Sequence, residues 1–219
     1  MMPNECNMPA LDDLNPPATH CYLAACLAGG LNLEHGRPVV LYKRIVNLID
    51  KATYEYSKAR ESLNSQVVSE REWKGEMHIL AIGNHLETCI CTLVIIFNLL
   101  ERVSHALSTS FEEQVRDILD SKDSSEEKIR KITETAQKIE THRSEYTLLL
   151  KQLKARTAIR KIRNVITHID EKILSGKSGS IMVTLNESGS EAQILDDTIK
   201  LTDLADCMRE LYTFIRKSY

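Results

Sequence analysis

Residues 79–100 are apolar around most of a helical circumference, and within them residues 89–100 (Cys-Ile-Cys-Thr-Leu-Val-Ile-Ile-Phe-Asn-Leu-Leu) carry no charge. A helix with apolar side chains on nearly every side must be surrounded by other elements or by lipid. The uncharged run is twelve residues long, against roughly twenty needed to cross a bilayer. It therefore predicts the buried central helix, over residues 73–107, of a soluble helical bundle.

The flanking sequence supplies neighbours for that helix. Upstream, Val40, Leu41, Ile45, Leu48 and Ile49 recur at three- and four-residue spacing and predict one face of a helix over 39–63, with Tyr42, Lys43, Asn47 and Lys51 on its wet side. Downstream, residues 120–127 are dense in Ser, Asp and Glu and predict a loop, after which Ile129, Ile132, Ala136 and Ile139 restart a helical stripe that can run to 154. Ala158, Ile162, Val165, Ile166, Ile169 and Ile173 mark a further amphipathic helix ending near Gly176. Residues 181–185 and 192–195 flank Asn186-Glu187-Ser188-Gly189-Ser190 and predict a two-stranded hairpin. Thr202 predicts the N-cap of a last helix carrying Leu204, Met208, Leu211 and Ile215.

The expected fold is thus all-α, a helical bundle with a small β-hairpin inserted before the C-terminal helix, formed by residues 38–219. Residues 1–37 hold four of the five prolines and lack steady periodicity. They are expected to be a flexible leader with one short helix over 18–28.

Charge and cysteine usage narrow the function classes. A formal charge of −3 excludes a chain coated in positive charge for indiscriminate binding to nucleic acid or anionic membrane, so any nucleic-acid contact must be local. The six cysteines include no Cys-x-x-Cys pair, and Cys89 and Cys91 fall on different sides of one helix. They read as reduced thiols of a cytoplasmic protein without membrane association. The first charges are acidic (Glu5, Asp12, Asp13), and Gly29 and Gly30 interrupt the apolar stretch 21–33, so no secretory signal is expected. His78 and His85 share a helical face near Glu87 but have no third ligand at metal-site spacing, and neither a metal nor another cofactor is expected.

One segment departs from the acidic average. No Asp or Glu lies between Tyr146 and Ile169, while Lys151, Lys154, Arg156, Arg160, Lys161 and Arg163 do. Those six come out of 28 basic residues, so the other 22 face 31 acidic ones and the remainder carries −9. Such a concentration suits a polyanion, because each cation set against a phosphate releases condensed counterions, and the Arg fork meets two phosphate oxygens. Lys154, Arg156, Arg160 and Lys161 are the expected RNA-binding residues.

His168 is the single histidine of this segment, and an imidazole moves protons near neutral pH. Asn164, four residues earlier, shares its face and could orient the ring by a hydrogen bond. Arg163 is five residues earlier, which at about 100° per residue places it roughly 140° around the helix. A single straight helix does not easily bring both to one phosphate. Two copies related by a two-fold axis can, which favours a homodimer formed through this helix.

The segment Ile162-Arg163-Asn164-Val165-Ile166-Thr167-His168 resembles the R-x(4–6)-H motif of HEPN ribonucleases, including the polar residue after the Arg, and most of all that of bacterial abortive-infection and phage-defence members. The resemblance implies a HEPN-type bundle that dimerises along the motif helices and cleaves RNA without metal. Arg163, Asn164 and His168 would be its catalytic residues. His168 would act as general base or acid, Arg163 would stabilise charge on the phosphorane, Asn164 would position the ring or the phosphate, and the product would be a 2′,3′-cyclic phosphate.

An antitoxin or other defence-system partner also belongs to what the resemblance implies. Asp170 stands where members controlled by a nucleotidyltransferase carry Tyr, which argues against that particular partnership. Asp170 and Glu171 put two negative charges beside the expected site, which would repel RNA unless they pair with Arg160, Lys172 or a partner chain. Two other readings stay open: a non-catalytic HEPN-like module whose basic face binds RNA, a nucleotide or a protein, and a plain helical scaffold.

Overall fold

The computed structural model describes residues 8–12, 14, 37–66, 72–174, 183–186, 190–194 and 196–217. Among them the element order is α1 (Arg37–Gln66), α2 (Glu72–Asp120), α3 (Ser125–Ala155), α4 (Thr157–Leu174), β1 (Val183–Leu185), β2 (Glu191–Ile194), β3 (Asp197–Lys200) and α5 (Leu201–Lys217). The described residues are mostly helical, with one small antiparallel sheet among them. No helix among the described residues is long and apolar enough to cross a membrane.

Contacts gather into two units. The first comprises Met1–Pro16, Leu48–Ile95 and Leu153–Thr213, and the second Pro17–Asn47, Ile96–Gln152 and Phe214–Tyr219.

The helix expected at the centre behaves as its composition demands. Ile82, Leu86, Cys89, Ile90 and Leu93 are buried in the first unit, and Ile96, Leu99, Leu100, Val103 and Leu107 in the second. Among the described side chains between 82 and 107 the exposed ones, Asn84, Ile95, Asn98, Glu101, Arg102 and His105, form a narrow stripe. α2 runs well past 107, because Phe111, Gln114, Val115 and Ile118 continue a half-buried stripe to Asp120.

The expected loop over 120–127 shrinks to residues 121–124. Ser124 Oγ accepts the Glu127 amide at 3.3 Å, one half of a capping box, and Glu126 and Glu127 occupy the first turn of α3. The acids that suggested a loop are therefore the start signal of a helix. Of the expected stripe Ile129 is exposed while Ile139 is buried, and Tyr146 and Leu150 join Ile139 in the core of the second unit. The Tyr146 hydroxyl donates to the Leu100 carbonyl at 2.6 Å, and its ring meets Phe214 edge-on at 5.7 Å.

On α1 the expected face is turned by a step. Tyr42 is buried and Val40 is exposed, so the inner stripe runs Tyr42, Ile45, Val46, Ile49, Ala52, Tyr56, Ala59. A tyrosine ring contributes much apolar area and needs only one hydroxyl partner, so it belongs inside as readily as Val. Tyr56 shows the arrangement, donating to the Pro9 carbonyl at 3.1 Å.

The described part of the expected leader also packs on the first unit. Met8 and Leu11 are buried. The Met8 carbonyl accepts Arg60 Nε at 3.0 Å and the Ala10 carbonyl accepts Arg209 Nη2 at 2.7 Å. The short helix expected over 18–28 lies outside the described residues.

The expected hairpin exists as β1 and β2, pairing Val183 with Ile194 and Leu185 with Ala192. A third strand, missed in the sequence, follows: β3 pairs Ile199 with Ala192 and Asp197 with Ile194. β3 passes directly into α5, so Thr202 lies inside the helix rather than capping it. The Leu201 amide is met by the Ser190 carbonyl at 3.0 Å, so a backbone acceptor satisfies one of the first helical donors. Gly83 lets α2 approach β1, since a Cβ there would stand 2.5 Å from the Val183 carbonyl oxygen.

Candidate active site on the motif helix

α4 divides into two faces by its own spacing. Ile159, Ile162, Ile166 and Ile169 are buried, while Thr157, Arg160, Lys161, Asn164, Thr167, His168 and Glu171 form one exposed polar stripe. Asn164 and His168 therefore share the open face, as their four-residue spacing requires, with Arg160 and Lys161 a turn or two before them. Arg163 is half-buried on the flank, as the 140° offset predicts. Of the remaining expected RNA-binding cations, Lys154 is half-buried near the end of α3 and Arg156 is exposed at the break before α4.

The helix is held beside β3 and α5, and these supply carboxylates. Lys161 Nζ lies 3.0 and 2.9 Å from the two oxygens of Asp203. Arg156 Nε is 3.5 Å from Glu210 Oε2. His168 Nδ1 is 3.5 Å from Asp197 Oδ1. The basic segment is thus opposed by acids at three points along its length, and Arg160 carries its exposed charge between two of them.

Sequence reasoning missed all three acids, although a signal for two was present. Asp203 and Glu210 are seven apart on α5 and so share one helical face, in antiparallel order to Lys161 and Arg156. Asp197, from a strand, places a carboxylate at the ring. Glu171 is exposed, and the Asp170 side chain lies outside the described residues. Among the described residues no hydrogen bond joins Asn164 to the ring, whose Nδ1 faces Asp197 Oδ1 at 3.5 Å.

Comparison with protein-family models, with curated proteins and with solved structures gives no match to the chain.

Elsewhere in the first unit, His85 Nδ1 meets Glu55 Oε2 at 2.7 Å, which gives the ring a carboxylate partner from α1 rather than Glu87 of its own helix. The His78 side chain lies outside the described residues. Among the described residues no group of three His, Cys, Asp or Glu side chains is gathered to hold a metal. Cys89, Cys91 and Cys207 are not in disulfides. Burial pushes the Cys89 and Cys207 thiols well above their usual range.

Proposed function

We propose that the α4 face built on Arg163, Asn164 and His168 is a metal-independent endoribonuclease site of the HEPN type, completed in a homodimer and serving bacterial defence or toxin-like RNA cleavage. The observation that carries this reading is the setting of His168. Its side chain is 59% exposed on a polar helix face, with Nδ1 turned to a carboxylate and Nε2 on the ring's other edge.

An imidazole so placed serves as a proton acceptor towards solvent. In the proposed step His168 Nε2 takes the proton of a ribose 2′-hydroxyl, and that oxygen forms a bond to the adjacent phosphorus. The bond to the 5′-oxygen breaks, and the leaving oxygen takes up a proton, giving a 2′,3′-cyclic phosphate and a 5′-hydroxyl. Arg163 of a second copy, approaching across a two-fold axis, would neutralise the non-bridging oxygens as charge grows on them. Arg160 would guide the neighbouring phosphate.

A second reading has its own support. Lys161 and Arg156 face Asp203 and Glu210, which lowers the net positive field of the face and suits a module that binds a partner without cleaving it. Purified wild-type and His168→Ala proteins, incubated with mixed tRNA and mRNA in EDTA, separate the two. Cleavage by the wild type with cyclic-phosphate ends, lost in the variant, supports the ribonuclease. Binding without cleavage by either protein supports the module.

A further inference from the structure

We infer that Asp197 is a positioning residue for His168: its carboxylate holds the ring proton on Nδ1 and so leaves Nε2 free to act as the base, a catalytic role that rests on the ribonuclease reading above. The placement of Asp197 in the sheet carries the argument. Side chains alternate along a strand, so Asp197 shares a face with Ile199, and its cross-strand partner is Ile194. Both isoleucines are buried. Asp197 therefore continues the inward row of β3, where an apolar side chain would be the ordinary occupant.

A carboxylate in that row needs a compensating partner, because an oxygen taken out of water without a donor costs free energy. The compensation is incomplete. Among the described residues Asp197 Oδ2 is buried with no hydrogen-bond partner, and the ring facing Oδ1 is that of His168, its Nδ1 at 3.5 Å. A carboxylate that favours one tautomer of an adjacent imidazole is a recurrent way to fix which ring nitrogen is basic. At 3.5 Å the contact is longer than a formed hydrogen bond, and catalytic contacts of this kind tighten when substrate is bound. The competing account makes Asp197 an inward charge that blunts the edge strand β3 against pairing with other chains. That account leaves the ring tautomer and the chemistry untouched.

The test reads the tautomer of His168 directly, by long-range proton–nitrogen correlation spectra at about pH 9, above the ordinary imidazole range. The His168 signals are assigned by their loss in His168→Gln. The expected result is the Nδ1–H tautomer in the wild-type protein and its loss in Asp197→Leu, a replacement suited to the Ile194–Ile199 row. Cleavage by Asp197→Leu should fall in kcat by on the order of a hundredfold or more with KM little changed, while its thermal stability is unchanged or raised. An Nε2–H tautomer in the wild type overturns the inference without recourse to any variant. So does an Asp197→Leu protein that keeps its tautomer or its kcat. If the wild type shows the Asp197-dependent Nδ1–H tautomer but cleaves no RNA, the hold on the ring stands and the ribonuclease reading falls.

Discussion

Asp203→Asn is expected to strengthen RNA binding, by an amount that follows from the geometry of one ion pair. Lys161 Nζ sits between both oxygens of Asp203 at 3.0 and 2.9 Å, so the lysine charge is matched before any phosphate arrives. The amide variant keeps the shape of the side chain and removes the opposing charge. A cation released to meet a phosphate of single-stranded RNA adds about 0.7 to the slope of log K against log salt, and near 0.1 M salt it raises affinity about fivefold. The exposed lysine makes the pair itself worth at most about 1 kcal/mol of stability, so folding should be nearly unaffected. Fluorescence anisotropy of a labelled RNA on the His168→Ala background, titrated at several salt concentrations, measures affinity and slope without cleavage. An unchanged affinity together with an unchanged slope would refute the placement of Lys161 on the RNA-binding face.

Three further outcomes test the fold around the site. Gly83→Ala should lower stability by about 1 kcal/mol in urea unfolding, because overpacking against the Val183 carbonyl, at about 1–3 kcal/mol, outweighs the roughly 1 kcal/mol that alanine gains in a helix; a more stable variant would contradict the close approach. Cys89 and Cys207 should resist alkylation in the native protein at pH 8 and react once urea unfolds it, while half-exposed Cys91 reacts first, as mass mapping would read. The Lys131 hydrogen bond, helped by Ser121, holds the Asp123 carboxyl below the usual range. Its stabilisation of the α2–α3 turn is then present above the unfolded value of about 3.9 and lost as pH falls through the lower folded one; amide exchange in residues 119–124 should rise there, and Lys131→Ala should abolish the dependence.

Much of the helical frame was legible because burial leaves a period in the sequence. The all-round apolar run of α2 and the clean stripes of α4 and α5 locate those helices and their inner faces. Residues of divided character are the ones that mislead: Tyr42, expected on the wet side, is buried, and Glu126 and Glu127, expected in a loop, lie in the first turn of the helix that Ser124 caps. β3 was missed because four residues around Ile199 show too little alternation to stand apart from the helix that follows.

The candidate site was legible only along one helix. Arg163, Asn164 and His168 could be placed by angle from their spacing, and α4 presents Asn164 and His168 together with Arg163 on the flank. The residues that complete the electrostatics, Asp197, Asp203 and Glu210, come from elements distant in sequence. Periodicity sets Asp203 and Glu210 on one face of α5, but which element that face meets is fixed by tertiary packing, and no local pattern marks Asp197.

The claim at the centre is a site shared between two copies, and mixing two inactive variants tests it most directly. Arg163→Ala and His168→Ala, each expected to be inactive, are co-expressed so that they form mixed dimers. If Arg163 of one copy serves His168 of the other, half of the dimers carry one intact site of two, and RNA cleavage in EDTA should return to about a quarter of the wild-type rate. Silence of the mixture beside an active wild type, or full activity of either variant alone, would contradict the account.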